Sequence, residues 1–395
     1  MGDPWLSIIG LGEDGLAGLT DASRDALAAS EFIFGGARHL ALIGAGDRGM
    51  AWPVPFDVSP VLALRGHRVA VLASGDPFWH GAGGSLGVHL DPAEWRCFSA
   101  PSTFSLTAAR LGWRIEDAAC LGLHAAPFSR LLPHLAAGRR AICLLRDAGA
   151  VGTLADWLVQ LGQSQARIWV LEALGGPAER VRHIRADGPK LTNLSALVAV
   201  AIEPVGAVTT DLPATSGLPD ASFAHDGQIT KAPIRAMTLA ALAPRPGELL
   251  WDIGAGSGSV SVEWCRAGGR AIAVEARSDR VANIWTNVDG FGLGGQMQVV
   301  EGAAPAVLIG LAPPDAIFVG GGASDVLLRQ IWGALRSGGR IVCNGVTLET
   351  ESLLAEWHAA KGGALLRIDL AQAAPLGRMR GWAASRPVVQ WSVVK

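Results

Sequence analysis

The chain has 395 residues, with 33 Lys plus Arg against 35 Asp plus Glu and a formal net charge of −2. That length favours two domains, each large enough to bury its own core, and a near-neutral charge without a basic run lacks the electrostatic footprint of a nucleic-acid binder. Five scattered cysteines, Cys97, Cys120, Cys143, Cys265 and Cys343, contain no Cys-x-x-Cys pair, which argues against a disulfide framework and a zinc site and fits a reducing cytoplasm.

Residues 1–10 lack the basic and apolar runs of a signal peptide, and the most apolar later stretch, 194–202, is too short to span a bilayer. A soluble chain with a small-molecule partner, and no membrane or nucleic-acid partner, is expected. Strands are predicted at 5–9, 68–73, 140–145 and 167–171, with a helix over 152–160, in the βαβ rhythm of mainly parallel sheets. Residues 206–227 turn to Thr, Pro, Gly, Ser and Asp without an apolar period, so they are read as a linker between domains at 1–205 and 228–395. Beyond it a helix is predicted over 232–242. Strands follow at 249–253, 271–275, 298–301, 316–319, 340–344 and 388–393, with helices at 260–267, 278–288, 324–335 and 349–360. This alternation describes one doubly wound sheet.

In the first half, Ile8-Ile-Gly-Leu-Gly-Glu-Asp-Gly15 ends a strand in a glycine loop, which by itself is as readily a structural turn as a ligand cradle. Val71-Leu-Ala-Ser-Gly-Asp-Pro-Phe78 is more specific and resembles the Ser-Gly-Asp-Pro loop of the tetrapyrrole methylases. The resemblance covers residues 5–205 and implies that Gly75, Asp76 and Pro77 line a cofactor pocket. Ala100-Pro-Ser-Thr-Phe104 is similar to that family's second cofactor loop, commonly Pro-Gly-Ile-Ser, with Ser102 in place of its glycine; Ser102 and Thr103 follow as ligands. Arg146-Asp-Ala148 stands where the third cofactor segment falls, which adds Ala148, and 170–175 matches a Glu-x-x-Gly strand end. Trp79 is either a contact for the sulfonium or a core residue.

In the second half, Leu249-Leu-Trp-Asp-Ile-Gly-Ala-Gly-Ser-Gly258 runs a strand through a glycine loop into a helix. Glycines tolerate positive φ and close backbone approach, and the helix start offers unpaired N–H groups. The dinucleotide fingerprint would need glycine at 259, where Ser259 stands. The pattern instead resembles motif I of the class I, Rossmann-like methyltransferases. That resemblance implies cofactor contacts from Asp252, Gly254, Ala255, Gly256, Ser257 and Gly258, with Glu275 on the ribose and Gly302, Ala303 and Ala304 around the adenine. Asp226-Gly-Gln-Ile-Thr-Lys231 introduces the domain and supplies Thr230, and 314–322 resembles the segment facing the transferred methyl group.

The fold class is therefore α/β, an N-terminal tetrapyrrole methylase fold plus a C-terminal class I Rossmann-like doubly wound sheet. A tandem of this kind resembles the bifunctional, decarboxylating methyltransferases of cobalamin biosynthesis. The resemblance implies two S-adenosyl-L-methionine sites, a precorrin substrate and a homo-oligomer. It further implies methylation of precorrin-6B at carbon 5 by the first domain and at carbon 15, with loss of the ring C acetate carboxyl, by the second, giving precorrin-8. Positioning alone can supply about 7–11 kcal/mol of a methyl-transfer barrier, so no side-chain nucleophile is expected. For decarboxylation the candidates are Asn344, at a strand end facing the cleft, and Glu263, which is otherwise a helix-packing residue. Arg378 and Arg380 are natural bidentate partners for substrate carboxylates, or part of a solvated loop. His39, His80, His124, His134 and His183 show no metal-ligand spacing, and no metal is expected. A cobalt-bearing acceptor, a nicotinamide oxidoreductase and a non-catalytic cofactor sensor are the alternatives.

Overall fold

The computed structural model describes residues 4–205, 212–213 and 215–395. The chain divides into two compact units, Met1–Asp211 and Leu212–Lys395. Of the segment expected as a linker, residues 206–211 and 214 lie outside the described residues. The rest belongs to the second unit, because Leu218 and Phe223 are buried in its core.

The first unit holds two five-stranded sheets. In the first, β1 (Leu6–Leu11), β2 (Phe32–Gly35), β3 (Gly49–Ala51), β4 (Val69–Ser74) and β5 (Trp95–Phe98) run parallel in the order β3-β2-β4-β1-β5. Its strands are apolar on both faces. Leu6, Ile8, Val69 and Val71 pack into one core cluster, while Ile9, Leu11, Ala70 and Leu72 pack into another on the opposite face, as the two-residue strand period requires. The carboxyl ends of β1 and β4 then present the Gly10–Gly12 and Ser74–Gly75 loops side by side.

The second sheet, β6 (Ala118–Gly122), β7 (Arg140–Leu144), β8 (Arg167–Glu172), β9 (Arg180–Arg185) and β10 (Val198–Glu203), has the order β6-β7-β10-β8-β9. Here the expected parallel rhythm fails: β6 and β7 are parallel, but β10 is antiparallel to both neighbours and β9 is antiparallel to β8. The connection from β8 to β9 is too short for a parallel crossover, which takes a dozen or more residues. Glu172, fully buried at the end of β8, accepts from Arg180 and Arg182 of β9 at 2.7 Å each and from the Ser195 N–H at 2.6 Å. Burial would raise this carboxyl, but the Ser195 N–H and the two guanidinium groups together hold it below its usual range.

The second unit is built on a seven-stranded sheet of β11 (Leu249–Ile253), β12 (Arg270–Glu275), β13 (Met297–Glu301), β14 (Ala316–Val319), β15 (Arg340–Gly345), β16 (Ala364–Ile368) and β19 (Val388–Val394). Its order is β13-β12-β11-β14-β15-β19-β16, parallel from β13 to β15 and antiparallel beyond. Strand order reverses between β11 and β14, which is where open α/β sheets form their ligand crevice. The glycine loop leaves β11 at that point. Two further strands, β17 (Ala371–Leu376) and β18 (Met379–Ala384), make a hairpin around Gly377, whose φ is +60°, and Arg378. A glycine at the first turn position suits such a two-residue connection. The stretch expected as a loop is thus a hairpin, and Arg378 and Arg380 sit on its exposed surface.

Candidate active sites

In the second unit Asp252 is the penultimate residue of β11, with its side chain buried. Its Oδ2 accepts from the Ser261 N–H at 3.1 Å and the Ser261 hydroxyl at 2.7 Å, while Oδ1 has no partner. Desolvation, partly offset by Ser261 and reinforced by nearby Glu275, pushes the Asp252 carboxyl up to about 6. Gly254, Gly256 and Gly258 all lie at positive φ, and a Cβ on Gly254 would meet the Gly321 carbonyl oxygen at 2.9 Å. Only glycine threads this turn. Gly258 caps the helix Ser259–Arg266, and the buried Ser257 hydroxyl has no partner.

Glu275, at the end of β12, is buried and anchored by backbone. Its Oε2 accepts from the Gly256 N–H at 2.8 Å, and its Oε1 from the Ala276 and Arg277 N–H groups at 2.9 and 3.0 Å. Gly302 donates to the Glu275 carbonyl at 2.8 Å, which brings the turn carrying Ala303 and Ala304 to the same edge. Thr230 lies on the segment beside the loop: the Gln228 carbonyl is 3.5 Å from where a Cβ on Gly256 would stand.

What holds that segment was not foreseen from the sequence. Asn287, on the helix Ser278–Gly290, donates to the Ser257 carbonyl at 2.8 Å and exchanges hydrogen bonds with Ala224 at 2.8 and 3.0 Å. One amide therefore ties the segment to the glycine loop. Asp226 accepts from Arg280 at 3.0 Å. Arg235, fully buried, donates to Glu263 at 2.6 Å, to Asp220 at 3.3 Å and to the carbonyls of Leu218 and Thr230, with its guanidinium over the Phe223 ring.

This geometry corrects the catalytic reading of Glu263. Its two oxygens accept from Arg235 and from the Gly217 and Leu218 N–H groups at 2.7 and 3.1 Å, so it fixes the segment rather than facing a ligand. Asn344 is also engaged within the fold: it donates to Thr238 at 2.9 Å and accepts from Gln390 at 3.0 Å. Arg378 and Arg380 remain on the hairpin, and no hydrogen bond joins either to the glycine loop among the described residues.

The first unit contains a cavity of about 420 Å³. Gly75, Ser102 and Thr103 line it, together with Gly12 from the first glycine loop and Ala173 from the end of β8. The loops touch so closely that a Cβ on Gly10 would lie 2.0 Å from the Gly75 carbonyl oxygen, and one on Gly75, at φ +57°, 2.8 Å from Ser102 Cα. Ser102 replaces a glycine without strain because its φ is −69°, and its hydroxyl accepts from the Ser105 N–H at 3.0 Å to cap the helix Thr103–Leu111. Trp79 lies on the cavity wall, its ring tilted by 33° against that of Phe104 at 4.9 Å between centroids, and is not a core residue. Asp76, Pro77 and Ala148 are absent from the lining: Asp76 accepts from the Phe78 N–H at 2.8 Å, Pro77 packs under the following turn, and Ala148 precedes the helix Gly149–Gln160. Arg38, His39, His80 and His124 line the cavity although sequence reasoning gave them no role.

Both sites fit a methyl-donor nucleoside. In the second, Asp252 Oδ1 and the Ser257 hydroxyl are buried polar atoms without protein partners beside a cradle that excludes side chains; in the first, the cavity is of ligand size and walled by backbone and aromatic rings. Among the described residues no group of His, Cys, Asp or Glu is arranged to hold a metal ion, and no helix is long and apolar enough to cross a membrane.

Comparison with known proteins agrees with this division. Residues 6–188 match the model of the tetrapyrrole (corrin/porphyrin) methylases, and residues 221–395 match that of the precorrin methyltransferase domain. A precorrin-6Y C(5,15)-methyltransferase [decarboxylating] from Sinorhizobium sp is 47% identical across 99% of this chain and 97% of its own length. One of the same name from Mycobacterium tuberculosis (strain CDC 1551 / Oshkosh) is 39% identical across 98% and 99%. The C-terminal domain of precorrin-6Y C5,15-methyltransferase from Rhodobacter capsulatus, a crystal structure, is 61% identical over 47% of this chain and 100% of its own, with a TM-score of 0.46. Identity sustained over both units in the same order makes this chain a member of the decarboxylating precorrin C(5,15)-methyltransferase family.

Proposed function

We propose that each unit binds its own S-adenosyl-L-methionine and that the chain methylates a precorrin-6 substrate twice. Carbon 5 is methylated in the first unit, and carbon 15 in the second with loss of carbon dioxide from the ring C acetate. The observation that carries this reading is the presence of two unlike glycine cradles in one chain, each where its fold forms a ligand crevice, in a protein 47% identical end to end to a relative named for both methylations. The substrate is precorrin-6B on the sequence reading and precorrin-6Y in the names of the full-length relatives.

The bound donor supplies an electrophilic methyl group. For methyl transfer the chain has only to position the reactants and exclude water, which together lower the barrier without a side-chain nucleophile; in the decarboxylation the electron pair of the broken C–C bond passes into the conjugated ring and a proton replaces the carboxyl group. In the second unit the three backbone N–H groups around Glu275 fix its carboxylate so that the remaining lone pair, on Oε2, can accept from a ribose hydroxyl, with Asp252, Ala255, Ser257 and the Gly302–Ala304 turn completing the site. In the first, Gly75, Ser102 and Thr103 form the donor wall and Trp79 the aromatic face. Arg378 and Arg380 are proposed carboxylate partners, supported by their exposure. The same hairpin exposes Leu376, Met379 and Trp382, which supports a homo-oligomeric chain, and five unbridged cysteines support a reducing cytoplasm.

Mass spectrometry of precorrin-6B incubated with the full chain and donor tests the reading. Two added methyl groups and one lost carbon dioxide are expected; Gly254→Val should add one methyl without decarboxylation, and Gly75→Val should keep the decarboxylation. An unchanged substrate mass with donor bound would send the search to another acceptor.

A further inference from the structure

The first unit's cavity carries a pair of titratable side chains that positioning of the donor leaves unused. His80 enters from the loop after β4 and His124 from the loop after β6, so each sheet contributes one imidazole. His124 Cε1 lies 3.2 Å, and His80 Nδ1 3.3 Å, from the point that a Cβ on Gly122 would occupy. The rings meet over a residue with no side chain. His80 holds φ at +59°, a left-handed conformation that non-glycine residues seldom adopt. Among the described residues neither imidazole has an ion-pair partner, and the cavity's carboxylate, Glu13, faces Arg38 instead.

We infer that His80 and His124 form a subsite for a peripheral carboxylate of the tetrapyrrole that the first unit methylates. The inference rests on the tetrapyrrole reading above. Two adjacent imidazoles repel when protonated, and burial, His124 and nearby Arg130, in that order, hold the His80 ring below its usual range; the helix Thr103–Leu111 presents the Phe104 ring to it at 5.9 Å. An anion between the rings removes that opposition and forms two charge-assisted hydrogen bonds. The donor also has a carboxylate, but only one, and it carries sulfonium and ammonium groups that oppose protonation of the neighbouring imidazoles. The substrate carries several carboxylates and neither cation. Anion binding therefore favours the protonated His80 ring, and affinity rises as pH falls.

The test is binding of uroporphyrin, an octacarboxylated porphyrin, to the full chain, followed by its Soret absorbance between about pH 6 and 8.5, the window in which an imidazole titrates. His80→Gly is the informative variant, since glycine suits the left-handed backbone and removes only the imidazole. His124→Gln is its partner. Each should weaken porphyrin binding about tenfold near pH 6.5, the loss expected for one charge-assisted hydrogen bond, and His80→Gly should also flatten its pH dependence. Binding of S-adenosylhomocysteine, measured by calorimetry, should not change. Unaltered porphyrin affinity in both variants, no porphyrin binding by the unmodified chain, or an equal loss of nucleoside binding would each overturn the subsite. Carbon-5 methylation, scored separately by mass, decides the parent reading: its absence in the unmodified chain sinks that reading, whereas its presence with unaltered porphyrin affinity in the variants sinks only the histidine pair.

Discussion

Arg235 Nε donates to Glu263 Oε1 across 2.6 Å, and both side chains are buried. Removing one partner leaves an uncompensated charge in the core, a loss of about 3–5 kcal/mol, while an apolar replacement of both costs far less. Glu263→Ala should therefore lower the urea midpoint of the full chain strongly, and Glu263→Leu combined with Arg235→Met should recover only part of it, because the Gly217 and Leu218 N–H groups and the Leu218 and Thr230 carbonyls lose their partners as well. A mild effect of the single substitution would show that the pair bears little of the second unit's stability.

Asp252 is the second case, and its sign is opposite to that of a salt-bridged acid. Its folded value of about 6 stands above the ordinary 3.8, so between these values the folded state holds more protons than the unfolded state. Stability from this group is fully present below about pH 4, falls as pH rises through 6, and above that the buried carboxylate costs about 3 kcal/mol. Asp252→Asn should stabilise the ligand-free chain at pH 8, with little gain at pH 4, while weakening donor binding. Thermal unfolding at the two pH values, alongside calorimetry with S-adenosylhomocysteine, checks both halves of this expectation.

Gly254→Ala and Gly10→Ala probe the two cradles separately. The first places a methyl group 2.9 Å from Gly321 carbonyl oxygen at φ +68°, and the second places one 2.0 Å from that of Gly75. Each should cost at least about 1 kcal/mol and abolish one methylation while sparing the other. Product masses from single-turnover reactions distinguish them.

Trp382, 80% exposed on β18, should be silent for folding of the isolated chain and decisive for association. Trp382→Glu is expected to change unfolding by no more than about 0.5 kcal/mol and to shift the species seen by light scattering toward monomer. An unchanged mass would show that Trp382 makes no contact between copies.

The second unit was legible in unusual detail because its strands are buried on both faces and its turns are marked by glycine. The helix Ala232–Leu242 and strands β11 and β14 fall where the apolar runs place them. Arg235 was missed although a signal existed: Arg235, Thr238, Leu239 and Leu242 form one stripe of that helix, and a charge on an otherwise core-facing stripe announces a buried partner. The hairpin was missed because its residues are exposed and carry no apolar period, although Gly377-Arg378 between two short runs has the spacing of a two-residue turn. The antiparallel strands of the first unit were missed for a different reason. An apolar run reports burial but not direction, and only the short connection after β8 carries that information. The cavity histidines come together from distant loops, so no local spacing could pair them.

The Asn287 amide has a kinetic corollary. Because it joins the Ala224 backbone to the Ser257 carbonyl through protein atoms alone, the segment around Ala224 and the glycine loop are tethered directly to each other. Capture of a nucleoside at that face needs no ordering step, and its observed rate should rise linearly with concentration up to the limit set by diffusion and desolvation. Cutting the tether with Asn287→Ala turns association into a two-step event whose rate saturates, so a side chain bonded to backbone sets the rate law by which a ligand arrives.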